Sequence, residues 1–214
     1  TFVGKDSGTA LTEGSNNVGI GKDSLKSNTT GVTNTSVGSS AGLSNTTGSK
    51  NVFVGNSAGQ NNTEGAENTS IGSLAGKSLT TGSNNVAVGR EALEANTTAS
   101  NNTAVGSCSL NLNTTGTQNN ALGYFALKVN TTGNCNTAIG NGALDANTTA
   151  SNNTALGNSS LTSNTTGANN TAVGSLSLGC NTTGDNNTAV GFCVLESNTT
   201  GCYNHALGRN TLME

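Results

Sequence analysis

The sequence has no proline and no tryptophan, and its aromatic residues amount to 3% of 214. Charged residues make up 9% and histidine occurs once, as His205. Each shortage excludes something. A net charge of -3 gives no electrostatic footprint for nucleic acid or an anionic membrane. No apolar run approaches the length of a membrane-spanning helix, so membrane insertion is not expected. Disordered chains are usually rich in charge and proline, and this one is poor in both. The five cysteines, Cys108, Cys135, Cys180, Cys193 and Cys202, form no CxxC pair and no zinc spacing.

What the chain does contain is Asn, Thr, Gly, Ala and Ser, in a strict period. A glycine follows a Val, Ile or Leu at Gly4, Gly21, Gly38 and onward to Gly208, always 17 residues apart. A stack of identical coils requires such a step, because one inserted residue would break the register of every ladder. Numbered from that glycine, the unit reads G-x-x-[AS]-[LG]-x-x-N-T-T-G-x-x-N-T-A-[VIL]. Positions 2, 3, 6, 7, 12 and 13 vary and carry all charged residues except Glu13 and Glu64, so they are read as facing water. Position 17 is always aliphatic and is assigned to the core. Position 5 is Leu in nine units and Gly at Gly8, Gly42, Gly59 and Gly76, where Phe2 and Phe53 are candidates to fill the missing volume.

Seventeen residues are too few for a helix-turn-helix repeat, and no apolar stripe of helical period exists. The pattern predicts an all-β β-solenoid of about twelve coils without helices, forming one uninterrupted domain over residues 1–214. N-T-A-V-G reads as a strand, with further short strands expected at positions 3 to 5 and 8 to 10. The glycines at positions 1 and 11 mark corners. At ~4.8 Å per coil the stack would be roughly 58 Å long. The chain begins and ends mid-unit, which suggests an uncapped piece of a longer fibre or a subunit stacking end to end.

Asparagine at position 14 occurs in every unit: Asn17, Asn34, Asn51, Asn68, Asn85, Asn102, Asn119, Asn136, Asn153, Asn170, Asn187 and Asn204. Stacked amides can bond to one another and to turn backbone, predicting a structural ladder. Position 8 supplies nine Asn-x-Thr sequons, at Asn28, Asn45, Asn96, Asn113, Asn130, Asn147, Asn164, Asn181 and Asn198. They are candidates for N-glycosylation, or they are the turn chemistry this corner needs.

Phrases such as "NTTGANNTAVGSLSL" (Asn164 to Leu178) and "NTTGDNNTAVG" (Asn181 to Gly191) resemble repeat regions of phage and phage-like tail fibres. More distantly they resemble the β-roll heads of trimeric autotransporter adhesins, although no heptad stalk accompanies them here. The resemblance implies an extracellular, cell-surface or virion-surface attachment fibre. It also implies self-association, as a trimer or end-to-end filament, and a cell-surface or glycan receptor.

No Ser/His/Asp arrangement can be built around His205, and the carboxylates scatter over variable positions. The chain therefore reads as a non-enzyme without cofactor or metal. The leading function is a structural fibre or adhesin shaft. The alternative is an ice-binding solenoid presenting a Thr/Asn face. Against it, the threonines at positions 9 and 10 are adjacent and should point to opposite sides of a strand.

Overall fold

A computed structural model describes residues 1–211. They form two compact units, one from Thr1 to Ser107 and one from Cys108 onward. The first carries β1 (Phe2–Val3), β2 (Val18–Ile20), β3 (Thr35–Val37), β4 (Val52–Val54), β5 (Thr69–Ile71), β6 (Val86–Val88) and β7 (Thr103–Val105). The second carries β8 (Asn120–Leu122), β9 (Thr137–Ile139), β10 (Thr154–Leu156), β11 (Thr171–Val173), β12 (Thr188–Val190) and β13 (His205–Leu207). Within each unit successive strands pair in parallel and in register, so Thr154 lies beside Thr171 and Leu156 beside Val173. The fold is a β-solenoid, and no helix occurs among the described residues.

Each coil contains one strand, at positions 15 to 17. The two further strands expected at positions 3 to 5 and 8 to 10 are turns and bends instead. Backbone dihedrals explain the difference. Positions 3, 5 and 13 adopt positive φ in coil after coil, as at Asp23 (58°), Leu25 (49°) and Thr33 (59°). Extended backbone cannot run through a left-handed residue. The turns nevertheless ladder from coil to coil. Leu25 N–H donates to Ala41 O at 3.1 Å, and Thr29 N–H to Thr46 O at 2.9 Å. Left-handed residues take part in this laddering: Leu25 N–H donates to the following coil, while Asp23 and Thr33 donate to the preceding one, at Lys5 O and Ser15 O, which offsets their conformational cost.

The glycine of position 1 is required twice over. Gly55 has φ of 134°, and a Cβ placed on it would lie 2.5 Å from Gly72 O in the next coil. Position 11 has no such dihedral demand. Its constraint is space beside the carbonyl of the next coil, and Ala99 and Ala150 occupy it while buried.

The core differs from the sequence reading in one respect. Position 16, not position 17, points inward. Ala87, Ala104, Ala138, Ala155, Ala172 and Ala189 are fully buried, while Leu122 and Leu156 remain 47% and 42% exposed. Strand parity forces this outcome: neighbours 16 and 17 must face opposite ways. The interior is filled by Leu25, Leu93, Leu110, Leu127, Leu144, Leu161 and Leu178 from position 5. A small residue at position 16 leaves room for them. Where position 16 is Phe, the position 5 that follows is Gly: a Cβ on Gly8 would enter the Phe2 ring, and one on Gly59 the Phe53 ring. Phe53 also reaches the preceding coil, where a Cβ on Gly42 would lie 2.7 Å from its Cδ2. At Gly76 Leu79 takes the filling role, its Cδ1 2.8 Å from where a Cβ would stand. The position-5 residue Leu212 lies outside the described residues.

Candidate functional site

Two ladders of asparagine run inside the coils. In the position-14 ladder side chains bridge to the following coil at both ends, except at Asn204, whose Nδ2 donates back to Asn187 Oδ1 at 3.1 Å. Asn34 Nδ2 donates to Gly48 O at 2.8 Å, while Asn34 Oδ1 accepts from Asn51 N at 3.0 Å. The same pair of bonds recurs at Asn153, to Gly167 O and from Asn170 N, and at Asn170, to Gly184 O and from Asn187 N. Eleven of the expected rungs, from Asn17 to Asn187, are buried, and Asn204 is half-buried.

The second ladder is made by the sequon asparagines. Asn28, Asn45, Asn96, Asn113, Asn130, Asn147, Asn164 and Asn181 are all fully buried, as is Asn62 in the same position. Each Nδ2 donates to the backbone carbonyl three residues on, for example Asn45 to Gly48 O at 2.9 Å and Asn147 to Ala150 O at 3.1 Å. Amide also bonds to amide: Asn45 Nδ2 to Asn28 Oδ1 at 2.8 Å and Asn181 Nδ2 to Asn164 Oδ1 at 2.9 Å. A sugar on any of those eight Nδ2 atoms has no space in the closed coil and would take the place of one of the two amide hydrogens there. The placement therefore favours turn chemistry over glycosylation. Asn198 is the exception, half-buried although it makes the same bond to Gly201 O.

Where position 8 is Asn, both ladders converge on one acceptor per coil. Gly31 O receives Asn17 Nδ2 at 2.7 Å and Asn28 Nδ2 at 3.0 Å; Gly184 O receives Asn170 and Asn181 at 2.8 and 3.0 Å. A carbonyl has two lone pairs, so this double acceptance satisfies it fully. Threonine at position 9 is also committed to the scaffold: Thr46 Oγ1 donates to Thr63 O at 3.0 Å, and Thr165 Oγ1 to Thr182 O at 3.0 Å. Among the described residues only Asn62 Oδ1 and Ser70 Oγ are buried without a partner.

The outward face of the strands is a different surface. Positions 15 and 17 sit two residues apart and both point to solvent. Position 15 is Thr or Val except at Asn120 and His205, and position 17 is Val, Ile or Leu throughout. Within each unit these form two parallel ranks, and neither contains Asp, Glu, Lys or Arg. The hydroxyls of Thr35, Thr69, Thr137, Thr154, Thr171 and Thr188 make no hydrogen bond within the described chain, unlike those of position 9. A reading that sends position 17 to the core misses this face. The recurrent small residue at position 16, between two larger ones, is the signal that finds it.

Among the remaining residues, Tyr124 stacks on Phe125 with ring centroids 3.8 Å apart, and Lys128 Nζ lies 4.1 Å from the Phe125 centroid. Burial raises the Asp145 carboxyl above its ordinary range, and Lys128 partly opposes the shift. Two cysteines read as facing water, Cys108 and Cys193, are buried, whereas Cys135, Cys180 and Cys202 are exposed; all five are free thiols. Burial also pushes the Cys193 thiol up. His205 is exposed at the outer face of β13. Among the described residues no cavity is found and no cluster of three metal-ligating side chains occurs. No helix there is long and apolar enough to cross a membrane.

Compared with known proteins, the chain matches no family model, no curated protein and no solved structure.

Proposed function

We propose that the chain is a length of structural shaft in an extracellular, cell-surface or virion-surface fibre. The observation that carries this reading is the use of the recurrent polar groups within the repeat itself. The amides of positions 8 and 14 and the hydroxyls of position 9 are occupied by bonds within and between coils. The repeat is thus a device for joining one coil to the next, and variation is left to surface turns. Such a shaft spaces an attachment function, to a cell-surface or glycan receptor, away from its base. It self-associates, and it is not an enzyme. Electron microscopy of the native assembly, with antibody against this repeat, tests the reading. Label along a filament is expected; label confined to a non-filamentous particle inside the cell overturns it.

A second reading, ice binding, is favoured by one observation: the outward ranks of Thr-x-aliphatic on successive strands. The face is Thr and aliphatic rather than Thr and Asn, because the Asn ladders lie inside. Thermal hysteresis of the purified chain tests it directly.

A further inference from the structure

The two outward ranks point to a docking surface, and we infer that its occupant is a second copy of this chain, packed sheet face to sheet face. The inference rests on the fibre reading for its purpose, and on the face itself for its chemistry.

The first argument is periodicity. Strands in each unit pair in register, so equivalent side chains recur at the rung spacing of ~4.8 Å. A surface that repeats at every rung fits an occupant that repeats at the same step. A second copy of the same solenoid does so by construction, and an isologous pairing sets the same patch of each copy against the other. The second argument is charge. Neither rank carries Asp, Glu, Lys or Arg, although Lys22, Arg90 and Arg209 stand close by at position 2 and Lys50 and Glu67 at position 13. Two such faces meet without like-charge repulsion, while a charged polymer or mineral surface finds no counter-charge.

The third argument separates a copy from a crystalline lattice such as ice. Position 17 alternates irregularly among Val, Ile and Leu: Val105 in one rung, Leu122, Ile139 and Leu156 in others, Val173 in another. Their exposures differ, with Ile139 at 37% and Leu122 at 47%. A rigid lattice is ill matched to ranks whose height changes by a methylene. A facing layer of side chains interdigitates with them, as packed sheets do. The position-15 hydroxyls left unbonded in Thr137, Thr154, Thr171 and Thr188 then find partners across the interface. With a face about 10 Å wide and ~4.8 Å per rung, each unit by itself supplies on the order of 300 Å² to such a contact.

The test uses the whole chain without added ligand: mass by light scattering across a concentration series. The expected mass is twice the 21.0 kDa monomer at high concentration. The variant V105E/I139E/V173E, which places carboxylates in the outer rank, is expected to be monomeric with an unchanged circular dichroism spectrum. The control T98E/T132E/T166E alters the exposed position 10, where Glu13 and Glu64 already occur, and is expected to dimerise like the parent. If the first variant fails to fold, V105T/I139T/V173T is expected to weaken association about tenfold or more while folded, the loss of apolar contact at the interface. A parent monomeric at every concentration, a trimeric mass, or equal loss in the control overturns the inference. So does thermal hysteresis from a monomeric parent. None of these outcomes bears on where the native fibre is found, which decides the shaft reading separately.

Discussion

Asn153 and Asn164 donate to the same atom: each Nδ2 lies 2.8 Å from the carbonyl oxygen of Gly167. One comes from the preceding coil and the other from the same coil. This shared acceptor joins the two ladders and makes their energies interdependent.

Replacing Asn153 with Leu orphans the N–H of Asn170 and removes one donor from Gly167 O. A cost of about 2–3 kcal/mol is expected, since a buried unpaired group costs roughly 1–3 kcal/mol. Asn164→Leu is expected to cost a similar amount. The double variant leaves Gly167 O with neither amide donor, so its cost should exceed the sum of the singles by about 1 kcal/mol. Denaturant unfolding of all four proteins measures this; strict additivity would show that the acceptor is not shared in solution.

The sequons can be separated from the ladder by choosing which residue to change. Thr149→Ala destroys the Asn147 sequon at an exposed residue and should leave the melting temperature within about a degree, as surface changes usually do. Asn147→Gln adds a methylene inside a packed ladder and is expected to cost about 1–3 kcal/mol. Secretion from a glycosylating host followed by intact mass should show no sugar at the eight buried positions. Asn198 is the site where one would first appear.

Phe53 and Gly59 are two halves of one packing solution. Phe53→Ala should cost about 3–5 kcal/mol by leaving a cavity. Gly59→Leu should be at least as damaging, because its Cβ would enter the Phe53 ring. The double variant Phe53→Ala/Gly59→Leu restores the Ala-and-Leu pairing of coils such as that of Ala104 and Leu110. It is expected to recover more than half of either loss. Thermal melts of the three proteins decide this, and a double variant worse than both singles would refute the pairing.

Two glycines with positive φ should respond very differently to alanine. Gly142 has φ of 61° and open space around a Cβ, its nearest neighbour there being Ser159 Oγ at 3.8 Å. Gly142→Ala is expected to cost about 1 kcal/mol, the strain of a left-handed alanine. Gly55→Ala meets the carbonyl of Gly72 at 2.5 Å and cannot relax without moving the next coil. It should cost several times more, by comparison of chemical melts.

Asp145 gives the pH dependence. Burial raises its pKa, so the folded state holds the carboxylate less well than the unfolded chain does. The resulting destabilisation is fully present above the folded pKa and vanishes as pH falls below the unfolded one. Asp145→Asn should therefore raise the melting temperature near neutral pH and have little effect once the carboxyl is protonated in both states. An equal effect in both conditions would rule out desolvation as the cause.

The period, the parallel solenoid and the position-14 asparagine ladder are legible in the sequence because each rests on strict recurrence at a fixed position. What recurrence alone does not carry is direction. Position 17 reads as core because it is always aliphatic, yet parity beside the inward Ala of position 16 turns Leu122 and Leu156 outward. The second and third strands fail for a related reason. Leu25, Leu93 and Leu110 suit a buried strand by composition, but they sit at φ of 49°, 51° and 47°, a conformation that leucine propensity does not announce. Position 8 looks like a surface sequon because Asn-Thr-Thr-Gly is also good turn chemistry. Only the register with position 11 of the same coil reveals that Asn28 and its equivalents turn inward.

The shared carbonyl has a genetic consequence. Apart from the coils with Leu11 and Leu79 at position 8, each coil offers its successor the same donors and acceptors that it receives from its predecessor, so an added or deleted stretch of 17 codons makes no new kind of junction. A stretch one codon longer or shorter would leave Asn amides facing the wrong backbone on every later rung. Length in such a gene is therefore free to vary, but only in whole turns of the coil.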